Sequence, residues 1–348
     1  MKENIKISSE SFPIESKVID WMRFPLAVLV VYVHTPRQAD NLVEWIWSDA
    51  IASMAVPLFF VLSGFLYFPN VEDVNKPQAW YGKKTLSRIK SIAIPYVFWA
   101  LLPVLVFCIR KIVGMVIHMH GPGLLIEGLT GINFYELLWD SGNGMPQYMQ
   151  LWFLRDLFVL FLFTPIIGLF VKYAKYSSLP ILLAANILNI WIPIPGFSAS
   201  GTLFFAMGAW CAIHKASMFK ICKYAFYPSM ALALITIVLL RLHYVPLVVF
   251  NVCAVPLYIY GMWLIFSKES IKPMPILTGS TMFIYVAHGY IVENTKVWAL
   301  VHKVLPDNMF GELLGYFTIP LLAIVALVTI HWVLRKIAPK TMQVICGR

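Results

Sequence analysis

Long apolar stretches dominate this sequence and limit the folds that are open to it. Hydrophobic residues make up 60% of the 348 and charged residues only 13%, whereas a soluble domain is about one quarter charged. A helix of about 20 apolar residues spans a bilayer and satisfies its own backbone hydrogen bonds there. We predict an all-α, polytopic integral membrane protein with about ten transmembrane helices, at residues 19–36, 47–68, 90–109, 151–171, 179–195, 198–213, 224–241, 244–266, 275–295 and 312–334.

The distribution of positive charge predicts the orientation of these helices. Of the 27 Lys and Arg residues, 19 fall in segments that are cytoplasmic if the N-terminus is inside, six fall in outer segments and two fall within spans. Cytoplasmic loops carry such an excess, so we expect both termini in the cytoplasm. The same bias explains the net charge of +10 without a nucleic-acid partner. The five cysteines are not closely spaced and indicate neither a disulfide framework nor a metal site.

This topology divides the chain into three parts. Residues 1–18 form a polar cytoplasmic lead, 19–334 the transmembrane domain and 335–348 a cytoplasmic tail. The longest outer segment, 110–150, is long enough to form a cover over a substrate.

The first predicted span carries two ionisable residues, Arg23 and His34. Eleven residues at about 100° each place both side chains on one helix face, roughly 16 Å apart along the axis. Ionisable groups are costly inside a bilayer, so their presence indicates a functional site. The alternative is that Arg23 reaches lipid phosphates and His34 caps the helix at the membrane surface.

Two later spans also carry polar side chains at membrane depth. Arg155 and Asp156 lie one turn inside the outer boundary, and since adjacent helical residues diverge by about 100°, they need not pair. Tyr285 and His288 lie one turn apart on a common face. Glu293, nearer the outer end, is either solvated or lines the same cavity. A catalytic role and a buried structural network both fit these residues.

Polar residues on the cytoplasmic side suggest where a ligand binds. Lys83, Lys84, Arg88 and Lys90 form a compact basic cluster before the third span. Such a cluster either binds anionic lipid or holds a polyanion such as the phosphates of a nucleotide cofactor. Ser63, in the second span, either permits close helix packing or points its hydroxyl into a cavity.

Five segments, in order, carry a resemblance to a known family. They are IDWMRF with a histidine eleven residues after its arginine, VPLFFVLSGFL, RIKSIAIPYVFW, QLWFLRDL and GSTMFIYVAHGYI. Together they resemble the membrane-bound acyltransferase-3 family in its stand-alone form, without a fused extracellular domain. The resemblance implies a ten-helix bundle in the bacterial cytoplasmic (inner) membrane. It further implies transfer of an acyl group, most often acetyl, from cytoplasmic acyl-coenzyme A to a hydroxyl of an envelope carbohydrate or glycolipid, with no metal.

The resemblance also assigns individual residues. The arginine and histidine pair of the family falls on Arg23 and His34, and its late-helix histidine falls on His288. It leaves open the acceptor, the acyl group and the oligomeric state.

The basic motif of the family matches only in part. The family has two arginines three residues apart at the start of the third helix, where this chain has Thr85 and Arg88. Lys83 or Lys84 is then expected to replace the first arginine in binding coenzyme A, together with Arg23.

These residues suggest a mechanism. The basic residues hold the coenzyme A phosphates, and His34 acts as general base on the acceptor hydroxyl or forms a transient acyl-histidine. Asp156 or Tyr285 would orient His34, and Arg155 or His288 would stabilise the oxyanion. The alternative function is a transporter or flippase of an envelope glycolipid, although the sequence has no evident inverted repeat.

Overall fold

The computed structural model describes residues 12–37, 41–68, 71, 73–118, 130–293, 297–298, 303–306 and 308–347. Residues 1–11 of the predicted lead and 119–129 of the predicted outer segment lie outside this set. Over the described residues the ordered elements are helices, and no strand occurs among them. The predicted all-α class is therefore confirmed for this part of the chain.

Fifteen α-helices are found among the described residues. They are α1 Phe12–Val33, α2 Leu42–Trp45, α3 Ala55–Tyr67, α4 Pro77–His118, α5 Phe134–Leu138, α6 Trp152–Leu162, α7 Thr164–Ala174, α8 Ser178–Ile187, α9 Ala199–Ile213, α10 Met218–Arg241, α11 Leu247–Phe266, α12 Pro275–Ala287, α13 Gly289–Val292, α14 Met309–Ile337 and α15 Pro339–Ile345. A π-helical turn, Ile46–Ile51, and a 3₁₀ turn, Ala52–Met54, join α2 to α3.

Each predicted span overlaps at least one of these helices. Within the described residues, six helical stretches are long and apolar enough to cross a membrane: Leu42–Tyr67, Pro77–Val113, Thr164–Ile187, Met218–Arg241, Leu247–Phe266 and Met309–Ile337. The protein is therefore a polytopic membrane protein, while the count of ten and the cytoplasmic termini stay predictions. The predicted span 151–171 is interrupted at Phe163, because Pro165 in the first turn of α7 has no N–H to continue the hydrogen bonding of α6.

Two helices at the centre approach each other through glycines. A Cβ atom on Gly64 of α3 would lie 2.0 Å from the carbonyl oxygen of Phe205, and one on Gly208 of α9 would lie 1.9 Å from that of Val61. Small residues let membrane helices come this close. Ser63 lies half-buried beside Gly64, at this contact.

Helix α1 runs through the bundle, and His34 follows its last residue, at the end predicted to face outward. It packs against α12, α3, α11 and α14. α12 continues through His288 into α13. Because α1 packs along α12, the C-terminal end of α1 lies near the end of α13. At the other end of the chain, α15 packs on α4 and α14, where the indole N–H of Trp99 donates to the carbonyl of Ile345 over 3.0 Å.

Candidate active site

His34 lies beside a carboxylate. It follows the last residue of α1, and its Nδ1 lies 3.4 Å from Oε1 of Glu293, which follows the last residue of α13. The amide Nε2 of Gln150 donates to the same oxygen. A carboxylate accepts hydrogen bonds, so neutral His34 places its proton on Nδ1 and leaves Nε2 as a base. The His34 side chain is 16% exposed, which leaves Nε2 within reach of a substrate.

His288 lies next to this pair and has the same tautomer. Its ring centroid is 5.1 Å from that of His34. Its Nδ1 is 2.8 Å from the carbonyl oxygen of Tyr285 and 3.2 Å from that of Ile284. Carbonyl oxygens only accept, so the proton is on Nδ1 and Nε2 carries a lone pair. The predicted oxyanion role requires an N–H donor at Nε2. In this tautomer Nε2 is an acceptor, so the neutral ring cannot fill that role.

Tyr285 connects to His34 indirectly. Its hydroxyl donates to the backbone carbonyl of Gln150, whose side chain holds Glu293. The order of contacts is thus Tyr285, Gln150, Glu293 and His34, so Tyr285 acts on the imidazole through two other residues. Gly289 makes room for this arrangement, because a Cβ there would lie 2.6 Å from Nε2 of Gln150.

Arg155 and Asp156 form a separate, buried ion pair. Their side chains lie 3.0 Å apart and are 3% and 2% exposed, so the two neighbours do pair, which helical spacing had left open. Arg155 also donates to the carbonyls of Trp139 and Gly144, and Asp156 accepts from Ser198. The pair therefore holds the loop that contains Trp139 and Gly144, and the loop that contains Ser198, against α6. Its charges are satisfied there, and the carboxylate found beside His34 is that of Glu293 instead.

The predicted donor-binding residues lie on α1 and α4. Arg23 was predicted near the start of the first span but lies midway along α1, because this helix begins at Phe12. It lies 3.2 Å from Asp20, with side chains 38% and 53% exposed. Lys83 and Arg88 are exposed on the first turns of α4. Lys84 is half-buried, with its ammonium 5.2 Å from the centre of the Tyr67 ring.

Thr85 explains why the arginine motif is incomplete here. Its hydroxyl shares a 2.5 Å hydrogen bond with the hydroxyl of Tyr67, which also accepts from Thr164 over 3.3 Å. Thr85 is 4% exposed, so an arginine at this position would place its charge in a packed contact between α3, α4 and α7. Thr85 therefore offers no contact to a polyanion, and Lys83, Lys84 and Arg88 are the positively charged side chains near it.

Sequence reasoning missed Gln150 and left the role of Glu293 open. Gln150 is the first residue of the QLWFLRDL segment, in which the predicted functional residues were the charged pair Arg155 and Asp156. Among the residues that the structure describes, no group of three or more His, Cys, Asp or Glu side chains could hold a metal ion.

Comparisons with known proteins identify the family of this chain. A family model described as an acyltransferase domain, of the acyltransferase-3 type, matches residues 17–336. The Succinoglycan biosynthesis protein ExoH of Rhizobium meliloti (strain 1021) is 25% identical over 372 residues, which cover 94% of this chain and 91% of that protein. No solved structure matches the chain significantly. Because the family model spans almost the whole chain, the protein belongs to the membrane-bound acyltransferase-3 family of acyl-transferring enzymes.

Proposed function

We propose that this protein is an O-acyltransferase of the bacterial cytoplasmic membrane. It moves an acyl group, most often acetyl, from cytoplasmic acyl-coenzyme A to a hydroxyl of a cell-envelope carbohydrate or its glycolipid precursor. The observation that carries this proposal is the contact between His34 and Glu293, because it leaves a basic nitrogen, Nε2, at the end of a membrane helix.

The chemistry needs one base and returns its proton. Nε2 of His34 takes the proton of the acceptor hydroxyl while the hydroxyl oxygen attacks the thioester carbon. The carbon–sulfur bond then breaks, and the coenzyme A thiolate takes the proton back from the imidazolium. Glu293 holds the ring in position and stabilises the imidazolium between these two steps. In the alternative route, Nε2 is itself acylated first, which would give ping-pong kinetics.

The donor enters from the cytoplasmic side. Lys83 and Arg88 are exposed near the start of α4, and Arg23 lies midway along α1, on the predicted cytoplasmic side of His34. Charge-assisted contacts from such side chains are the usual way of binding phosphates. The acyl-pantetheine arm is then long enough to run along the face of α1 that joins Arg23 to His34.

The acceptor is proposed to be a polysaccharide repeat or its lipid-linked precursor. The support is the name of the relative, a succinoglycan biosynthesis protein, together with the position of His34 at the outer end of α1. A carbohydrate supplies the hydroxyl that the reaction consumes.

The test is binding and turnover of radiolabelled acetyl-coenzyme A, and of succinyl-coenzyme A, by detergent-purified protein. Arg88→Gln and Arg23→Gln should weaken donor binding by roughly tenfold each, since each removes a charge-assisted contact. Lys272→Gln is the matched control, because this exposed lysine lies at the same membrane face but outside the predicted donor site. His34→Gln should keep donor binding and lose transfer.

One result would contradict the acyltransferase proposal. If folded wild-type protein binds neither acyl-coenzyme A, the acyltransferase proposal fails. Transport of an envelope glycolipid then becomes the function to test.

A further inference from the structure

One buried acceptor atom in the candidate site has no donor. His288 is 0% exposed, and its Nε2 has no hydrogen-bond partner among the residues that the structure describes. Its Nδ1–H is engaged with the carbonyls of Tyr285 and Ile284, which fixes the ring so that Nε2 stays unprotonated. A buried acceptor without a donor is unfavourable, so this nitrogen is poised to accept a hydrogen bond from a ligand.

His34 and His288 together form a pair of acceptors. Both carry the proton on Nδ1, and their ring centroids are only 5.1 Å apart. A single hydroxyl has one proton and can satisfy one of the two Nε2 atoms. Neither the thioester carbonyl nor the oxyanion derived from it has a proton to give. The second nitrogen therefore needs a second donor from the substrate.

We propose that His288 binds the hydroxyl next to the one that is acylated, so that the enzyme selects acceptors with a 1,2-diol, as in a pyranose ring. Two neighbouring hydroxyls offer two protons from adjacent atoms, one for each of two imidazole rings whose centroids lie 5.1 Å apart. His34 takes the proton of the reacting hydroxyl, and His288 accepts a hydrogen bond from its neighbour without changing protonation. This assignment rests on the proposed acyltransferase function and makes His288 a specificity-determining residue.

The test compares two surrogate acceptors, trans-1,2-cyclohexanediol and cyclohexanol, with acetyl-coenzyme A as donor. Wild-type protein should acylate the diol with a kcat/KM roughly tenfold above that of the mono-alcohol, the value of one satisfied hydrogen bond. His288→Phe fills the space without an acceptor and should reduce the ratio of the two kcat/KM values, diol over cyclohexanol, from roughly ten to about one. His288→Gln retains an acceptor oxygen and should restore part of the preference.

Two results would overturn the proposal. Equal wild-type rates for the diol and the mono-alcohol would contradict it. Equal losses with both acceptors in His288→Phe, together with weaker acetyl-coenzyme A binding, would assign Nε2 to an amide N–H of the pantetheine arm instead. Failure of the underlying function is distinguishable, since it appears as absence of acetyl-coenzyme A binding by the wild type.

A second readout needs neither turnover nor a variant. Nitrogen-15 NMR of wild-type protein with labelled histidines should show His288 as the Nδ1–H tautomer, and the diol should shift the Nε2 resonance. A protonated Nε2 in the folded protein, or no shift of that resonance at saturating diol, would overturn the assignment.

Discussion

Nδ1 of His34 lies 3.4 Å from Oε1 of Glu293, and the same oxygen accepts a hydrogen bond from Gln150. Three separate segments of the chain thus meet at one carboxylate. A carboxylate in this position fixes the tautomer of a histidine and its orientation, as the aspartate does in a serine hydrolase triad. The contact gives the predicted base, His34, a positioning residue.

The hydrogen bonds that link Tyr285 to Gln150 and Gln150 to Glu293 should affect turnover without affecting donor binding. Tyr285→Phe removes the hydroxyl that donates to Gln150, so the Gln150 amide and then Glu293 lose their position. We expect a loss of roughly tenfold in kcat, with an unchanged KM for acetyl-coenzyme A, since small displacements of a catalytic group are costly. Tyr258→Phe is the matched control, because its hydroxyl also donates to a backbone carbonyl, that of Ile51. Equal effects of both variants would argue against a specific role for Tyr285.

Removing one member of the buried pair should destabilise the protein. Arg155→Met leaves Asp156 without its ion-pair partner at 2% exposure, and Asp156→Asn leaves Arg155 without its partner at 3% exposure. Either loss costs roughly 3–5 kcal/mol in typical cases. The exposed pair of Arg37 and Asp49 is the control, and Arg37→Gln should cost under about 1 kcal/mol. Thermal unfolding in detergent measures both. Comparable shifts in Tm would show that Arg155 and Asp156 have no special structural role.

The close contact between α3 and α9 should not tolerate a methyl group. Gly208→Ala places a Cβ 1.9 Å from the carbonyl oxygen of Val61, so the helices must separate. We expect a loss of roughly 1–3 kcal/mol, as for other overpacked sites, and lower yield of folded protein. Gly261→Ala is the control, since a Cβ there meets nothing within 4 Å. A Gly208→Ala protein as stable as Gly261→Ala would refute this contact.

A buried carboxyl in the predicted cytoplasmic lead should make stability depend on pH. Burial raises the pKa of Glu15, which accepts a hydrogen bond from Ser217. At low pH the carboxyl is protonated in both the folded and the unfolded chain, and stability is highest. As the pH rises, the unfolded chain releases its proton first, so the free energy of unfolding falls until the pH passes the raised pKa.

Glu15→Gln should remove this dependence. Its Tm should exceed that of the wild type near neutral pH and equal it at about pH 4. Glu269→Gln, at an exposed carboxylate, should leave the wild-type profile unchanged. An identical pH profile for Glu15→Gln and wild type would contradict the buried state of Glu15.

Local patterns in the sequence predict the helices and part of the site. Apolar length places five of the six long apolar stretches found among the described residues, but the sixth, Thr164–Ile187, was divided between the predicted spans 151–171 and 179–195. The spacing of Arg23 and His34 puts both on one face of α1. Helical spacing left open whether Arg155 and Asp156 pair, because it fixes the direction of the Cβ atoms but not of a long, flexible guanidinium group. The pair also owes its environment to two distant loops.

The partners of His34 were beyond sequence reasoning for a different reason. Glu293 and Gln150 approach it only because α1, α13 and the turn before α6 meet in the folded chain. Spacing along one helix says nothing about such a contact. Likewise, the burial of Thr85 against Tyr67 depends on how α3 packs on α4.

The most direct test of the mechanism is a double-mutant cycle on acyl transfer from labelled acetyl-coenzyme A, with wild type, His34→Gln, Glu293→Gln and the double variant. We expect His34→Gln to lower kcat by roughly 10²–10⁴-fold, the usual contribution of a general base. Glu293→Gln should lower it less, and the double variant should be no slower than His34→Gln, since Glu293 acts through His34. Wild-type turnover by a folded His34→Gln protein that still binds acetyl-coenzyme A would contradict the mechanism.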